Sequence, residues 1–91
     1  MKITCERERG KFFHALNGKP IYRERYDRIG SFCEGLAWVE KDKKCFHILP
    51  NGKPAYSQRY NDITSFFEGI AWVTKNEKCF RIIPDGSIAC D

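Results

Sequence analysis

The eleven residues SFCEGLAWVEK, Ser31 to Lys41, return 34 positions later as SFFEGIAWVTK, Ser65 to Lys75. The same offset takes Gly35 to Gly69 and Trp38 to Trp72, and it lays FFHALNGKPIYRERYDRIGSF from Phe12 over FHILPNGKPAYSQRYNDITSF from Phe46. A shorter third copy, FRIIPDGSIACD, starts at Phe80, and ITCERERGK from Ile3 falls in the register of AWVEKDKKC from Ala37. Self-similarity at such a period is the signature of a repeat array. A single unit of this kind cannot bury its apolar face alone, so neighbouring copies share one core. The chain is read as one repeat domain, 1–91, with a partial unit at 1–10, full repeats at 11–44 and 45–78, and a truncated repeat at 79–91.

Each unit reads as short strands. GLAWVEK and GIAWVTK are β-rich apolar runs that end in the polar turns KDKK and KNEK, and CFHILP and CFRIIP follow them. Asn17-Gly18, Asn51-Gly52 and Asp85-Gly86 come next, dipeptides that favour the positive φ of a tight hairpin. KPIYRE and KPAYSQ return, with Pro20 and Pro54 at a strand start or an edge, where a missing N–H is tolerated. The link to the next unit, around Tyr60, Ile63 and Phe66, reads as a short bulged strand. The expectation is an all-β fold of about eleven antiparallel strands in β-meander units, stacked or closed into a propeller or barrel, with no helix longer than a turn. Phe12, Phe46 and Phe80 are expected at equivalent core positions, packed with Ile29, Phe32, Ile63 and Phe66. Trp38 and Trp72 face opposite to Ala37/Val39 and Ala71/Val73, and either face could be the core one.

Composition narrows the functional classes. No apolar h-region opens the chain and no window approaches the ~20 apolar residues of a membrane span. Five cysteines cannot all pair within one chain, so reduced thiols in a cytoplasmic setting are expected. The net charge of +4 lies wholly in residues 1–45, whereas a nucleic-acid-binding array would carry its basic stripe through every repeat. Nucleic acid is therefore an unlikely partner, kept as the alternative through the basic N-terminal half and aromatic stacking.

Chemistry-bearing residues are few. Cys45 and His47, with Cys79 one period on, form a tempting set, but no C-x-x-C pair exists and Arg81 and Lys11 replace the ligands in neighbouring units. No metal and no cofactor are expected. His14 is read as a core or cap residue in register with Ile48 and Ile82, and His47 in register with Phe13 and Arg81. No nucleophile elbow, zinc-protease or phosphate-loop motif is present, so no enzyme is expected. Glu34 and Glu68 could form an acid pair, but a carboxylate repeated before Gly more often caps turn N–H groups. Arg25-Tyr26 and Arg59-Tyr60 offer either a polar–aromatic binding surface or an Arg ladder stacked between repeats. Trp38 and Trp72, if exposed, would add an aromatic row to such a surface.

The pattern F-x-E-G-[LI]-A-x-V, N-G-K and Y-[DN]-x-I-x-x-F resembles the bacterial WG-repeat family. It is carried by Glu34-Gly35-Leu36-Ala37, Glu68-Gly69-Ile70-Ala71, Gly18, Gly52, Tyr26-Asp27 and Tyr60-Asn61. The Trp-Gly pair that names the family is missing from Lys11-Phe12, Cys45-Phe46 and Cys79-Phe80, where Phe stands in for the Trp. The resemblance implies an all-β array used for binding or scaffolding, and it supplies no catalytic residues. The function expected is a protein- or ligand-binding module that self-associates, most simply as a dimer, through unpaired outer strands or the aromatic row.

Overall fold

The structure, a computed structural model, describes residues 2–89. Expectations that rest on Cys90 and Asp91, the close of SIACD, lie outside the described residues. Nine strands form: β1 (Ile3–Glu8), β2 (Lys11–Leu16), β3 (Lys19–Pro20), β4 (Arg28–Ile29), β5 (Ala37–Lys41), β6 (Lys44–Ile48), β7 (Asp62–Ile63), β8 (Ala71–Lys75) and β9 (Lys78–Ile82). They make three antiparallel sheets in the orders β1-β2-β3, β4-β5-β6 and β7-β8-β9, and no helix occurs among the described residues. Among the described residues no strand of the first sheet pairs with one of the third, so the three sheets do not close into a barrel, and the extents are 41 × 27 × 17 Å. The barrel alternative falls away.

Two of the expected eleven strands shrink to single bridges, Ile48 with Pro54 and Ile82 with Ile88. The cause is the turn before them. Asn17 (φ 53) and Gly18 (φ 81) form the tight hairpin expected of Asn-Gly. In the next two copies Pro50 and Pro84 precede the dipeptide, and neither Asn51 nor Asp85 has positive φ. Pro fixes the first corner of an ordinary type I turn, Gly52 (φ 87) takes the left-handed position after it, and the loop grows by one residue. Leu49 N–H then bonds the Lys53 carbonyl at 2.9 Å, and the ladder ends one bridge later.

That extra residue corrects the register within each unit. Before the turn the first two copies match at an offset of 33, after it at 34: Tyr26 bridges Phe12 as Tyr60 bridges Cys45. The equivalent residues are therefore Phe13, Phe46 and Phe80, with Phe12 in the place of Cys45 and Cys79. Phe13 and Phe46 are buried and Phe12 only half so. Likewise His14 matches His47 rather than Ile48, and Ile48 matches Ala15.

The Ala/Val face is the core. Ala37, Val39 and Ala71 are 0% exposed and Val73 1%, while Trp72 on the opposite face is 52% exposed. Successive strand residues point to opposite sides, so the tryptophans lie on the other face, which is covered beside His47 and Cys45 but open at Trp72. Trp38 is nevertheless half-buried, because Gly30 lies beneath it: a Cβ there would come within 2.0 Å of the indole Nε1. The equivalent of Gly30 is Thr64, and over it Trp72 stands out into solvent. Gly30→Ala should expel Trp38 in the same way, costing about 1–3 kcal/mol. In a Trp72→Phe background its fluorescence should shift to the red; an unmoved spectrum would show that the ring and the methyl can coexist.

Adjacent units meet through aromatics and turns. Tyr26 stands edge-on to Phe46 at 6.0 Å and Tyr60 to Phe80 at 5.8 Å. Gly52 lies against Tyr22, where a Cβ would come within 2.5 Å of the tyrosine Cβ. Glu34-Gly35 and Glu68-Gly69 each form a two-residue turn closed by paired backbone bonds, Cys33 with Leu36 and Phe67 with Ile70. The Glu34 carboxylate accepts from the N–H groups of Glu68 and Gly69, the latter at 2.7 Å. It caps the turn of the next unit rather than its own.

Candidate functional site

Arg25 and Arg59 are locked in place by the loops that carry them. Nη1 of Arg25 donates to the carbonyls of Tyr22, Arg23 and Glu24, and Nη1 of Arg59 to those of Tyr56, Ser57 and Gln58. Each guanidinium lies over a phenylalanine ring, Arg25 over Phe13 at 4.1 Å and Arg59 over Phe46 at 3.9 Å. The stacking partner is thus the Phe of the neighbouring strand and not the adjoining Tyr. Tyr26 and Tyr60 are 2% and 3% exposed and belong to the core.

His14 and His47 are fully buried and bonded through both ring nitrogens. Nδ1 of His14 lies 2.6 Å from the Tyr22 hydroxyl and Nε2 lies 2.7 Å from the Gly30 carbonyl; His47 repeats this with Tyr56 at 2.6 Å and Thr64 at 2.9 Å. A carbonyl can only accept, so Nε2 carries the proton and Nδ1 accepts from the tyrosine O–H. Burial holds both imidazoles neutral, that of His47 down to a pKa of about 4, and drives the tyrosine hydroxyls up. These rings tie strand, return and link together. Cys45 is buried beside them, its thiol pushed up to about 11 by desolvation, while Cys5 and Cys79 are exposed. Among the described residues no three His, Cys, Asp or Glu side chains gather as a metal site would require.

The chain's accessible aromatics gather at one end. Phe67 (74% exposed) and Trp72 (52%) border a groove of about 300 Å³ with Thr64, Ser65, Glu68, Ile70 and Arg81. Arg81 stands 5.6 Å from the Trp72 ring, at the strand position that His14 and His47 hold in the other units. Trp38 and Trp72 therefore do not form a continuous row.

The sequence model of the family described as WG containing repeat matches residues 16–45 and 50–79, together 60 of the 91 residues. The chain belongs to the WG-containing repeat family. No curated relative and no solved structure matches it. In this WG-containing repeat chain the pair that names the family is replaced, in the corrected register, by Phe12-Phe13, Cys45-Phe46 and Cys79-Phe80. Phe46 fills the place with an apolar ring that Tyr26 flanks and Arg59 covers.

A second recess lies between the first two units. It measures about 360 Å³ and brings Lys41, Lys44 and Arg59 together beside Phe46 and Pro54. Sequence reasoning singled out Arg59 but missed the two lysines, because the 34-residue offset did not align them with Glu8 and Lys11. Phe67 was missed as well. Its counterpart is Cys33, and a Phe at an exposed turn corner is a signal legible without coordinates.

Proposed function

We propose that this protein is a non-enzymatic binding module whose contact surface is the Phe67–Trp72–Arg81 groove, and that the groove receives another β-repeat unit, most simply a second copy. The observation that carries this reading is the turn at Glu68-Gly69. Glu34 meets the following unit by capping its turn N–H groups, and Glu68 is its counterpart. Among the described residues the Glu68 carboxylate makes no hydrogen bond, and Phe67, Ile70 and Trp72 flank it. A turn of the same kind, offered by the Glu34-Gly35 corner of another copy, would reproduce the contact already made inside the chain. Such head-to-tail pairing is heterologous and can extend beyond two copies. No helix among the described residues is long and apolar enough to cross a membrane. Free thiols at Cys5, Cys33, Cys45 and Cys79 favour a reducing, cytoplasmic setting for the module.

Light scattering across a concentration series is the test. The mass should rise above 10.7 kDa with concentration and return to it in Phe67→Ser and Trp72→Ala. A monomer that persists to about millimolar would reject the second copy as occupant. Retention on DNA that weakens steeply with salt, while the mass stays monomeric, would favour the nucleic-acid alternative.

A further inference from the structure

The first two units have the same cations but not the same anions. In the first, Lys11 pairs with Asp27, and Nε of Arg25 lies 3.6 Å from the Glu8 carboxylate. In the corrected register Lys44 stands for Lys11 and Arg59 for Arg25, but Asn61 replaces Asp27 and Lys41 replaces Glu8. Both carboxylates are gone and one has become a third cation. Among the described residues Lys41, Lys44 and Arg59 make no salt bridge, and all three line the recess between the units.

We propose that this recess is a binding site for a carboxylate-bearing peptide segment. The ligand would supply to Arg59 and Lys44 the anion that Glu8 and Asp27 supply internally to Arg25 and Lys11. Three features fit it for that role. Arg59 is held rigid by three carbonyls and the Phe46 ring, all through Nη1 and the guanidinium face, so Nε and Nη2 keep their donors and little ordering is needed on binding. The exposed Pro54, beside the edge of the Phe46 ring, gives an apolar wall for a side chain next to the carboxylate. The volume, about 360 Å³, suits one or two residues. Glu24 and Asp42 also border the recess. Their charges oppose a continuous phosphodiester backbone but leave room for a single anionic group among three cations.

The probe is the peptide acetyl-Glu-Leu-Glu-Leu-amide, followed by amide chemical shifts, with its Gln-for-Glu counterpart, inorganic phosphate and a short oligothymidylate beside it. The acidic peptide should shift the amides of Lys41, Lys44 and Arg59, and the Gln peptide should not. Lys41→Glu, an exposed substitution that restores the first unit's arrangement, should weaken binding about tenfold or more. Glu8→Lys should do the converse and open a second site around Arg25, read as new shifts there. The proposal is overturned if the peptide leaves these amides unmoved, if Lys41→Glu binds as the unaltered chain does, or if phosphate or the oligonucleotide binds the recess more tightly. Because the recess and the Phe67–Trp72 groove are separate, loss of self-association leaves this result intact, and the reverse also holds.

Discussion

Phe46→Ala should cost this chain about 3–5 kcal/mol, and Phe13→Ala a comparable amount. Phe46 is 6% exposed, pairs across the ladder with Val39, stands edge-on to Tyr26 and supports the Arg59 guanidinium. Truncation therefore opens a cavity at the seam between units and removes the surface on which the cation rests. A domain of this size has roughly 5–15 kcal/mol of stability in all, so the variant should lose a large fraction of it. Phe12→Ala is the discriminating control. Phe12 is only half-buried, and its loss should cost roughly 1–2 kcal/mol. Denaturant unfolding of the three variants decides the register: Phe12→Ala as damaging as Phe46→Ala would restore a uniform offset of 34 and refute the one-residue correction.

Acid should unfold the protein through its histidines. Burial lowers the pKa of His47 from 6.5 to about 4, against a smaller upward pull from its bond to Thr64, and moves His14 in the same direction. Above 6.5 the ring is neutral in folded and unfolded chains alike, and its contribution to stability is complete. As the pH falls through 6.5 the unfolded ring takes up a proton that the folded ring refuses until about 4. Stability is lost across that window, roughly 3 kcal/mol from His47 alone. Unfolding free energies measured from neutral pH down to about 4 should show this slope, and His47→Gln should flatten most of it. A ring that titrates near 6.5 in the folded protein, followed by its carbon-bound proton resonances, would show that solvent reaches it.

Much of the fold was legible because its signals are local. Asn17-Gly18 can adopt the positive φ at both positions of a two-residue hairpin, and the return of GLAWV as GIAWV fixes which segments must pair. The two expected strands that shrink to bridges and the shifted register share one origin. Pro50 lengthens a turn by a residue, and an alignment without a gap passes that residue into every comparison upstream of it. His14 was thus set beside Ile48, and the shared His–Tyr–carbonyl bonding of His14 and His47 could not be read. The same error concealed the recess, since only with Lys41 beside Glu8 does the exchange of charge become visible. The choice between the Trp face and the Ala/Val face was not local at all. It depended on which row the rest of the array covers, and Gly30 and Thr64 then set how far each Trp stands out, contacts between links and strands that alternation alone does not encode. The arginines were found for the right residue types but with the wrong neighbour, because the Phe that each covers comes from another strand.

Among the described residues the turn at Asn17-Gly18 stands clear of its neighbours, which has a practical consequence. A Cβ at Gly18 would meet no atom of the described residues within 4 Å, whereas one at Gly52 or Gly86 would strike a tyrosine of the preceding unit. The second and third tips already show that this loop absorbs an added residue while β6 and β9 keep their pairing with β5 and β8, at the cost of reducing the return strand to a single bridge. The first tip is thus a natural insertion point. Foreign sequence grafted between Asn17 and Gly18 would project from the first hairpin, leaving the recess and the aromatic groove in place and turning the protein into a small display scaffold.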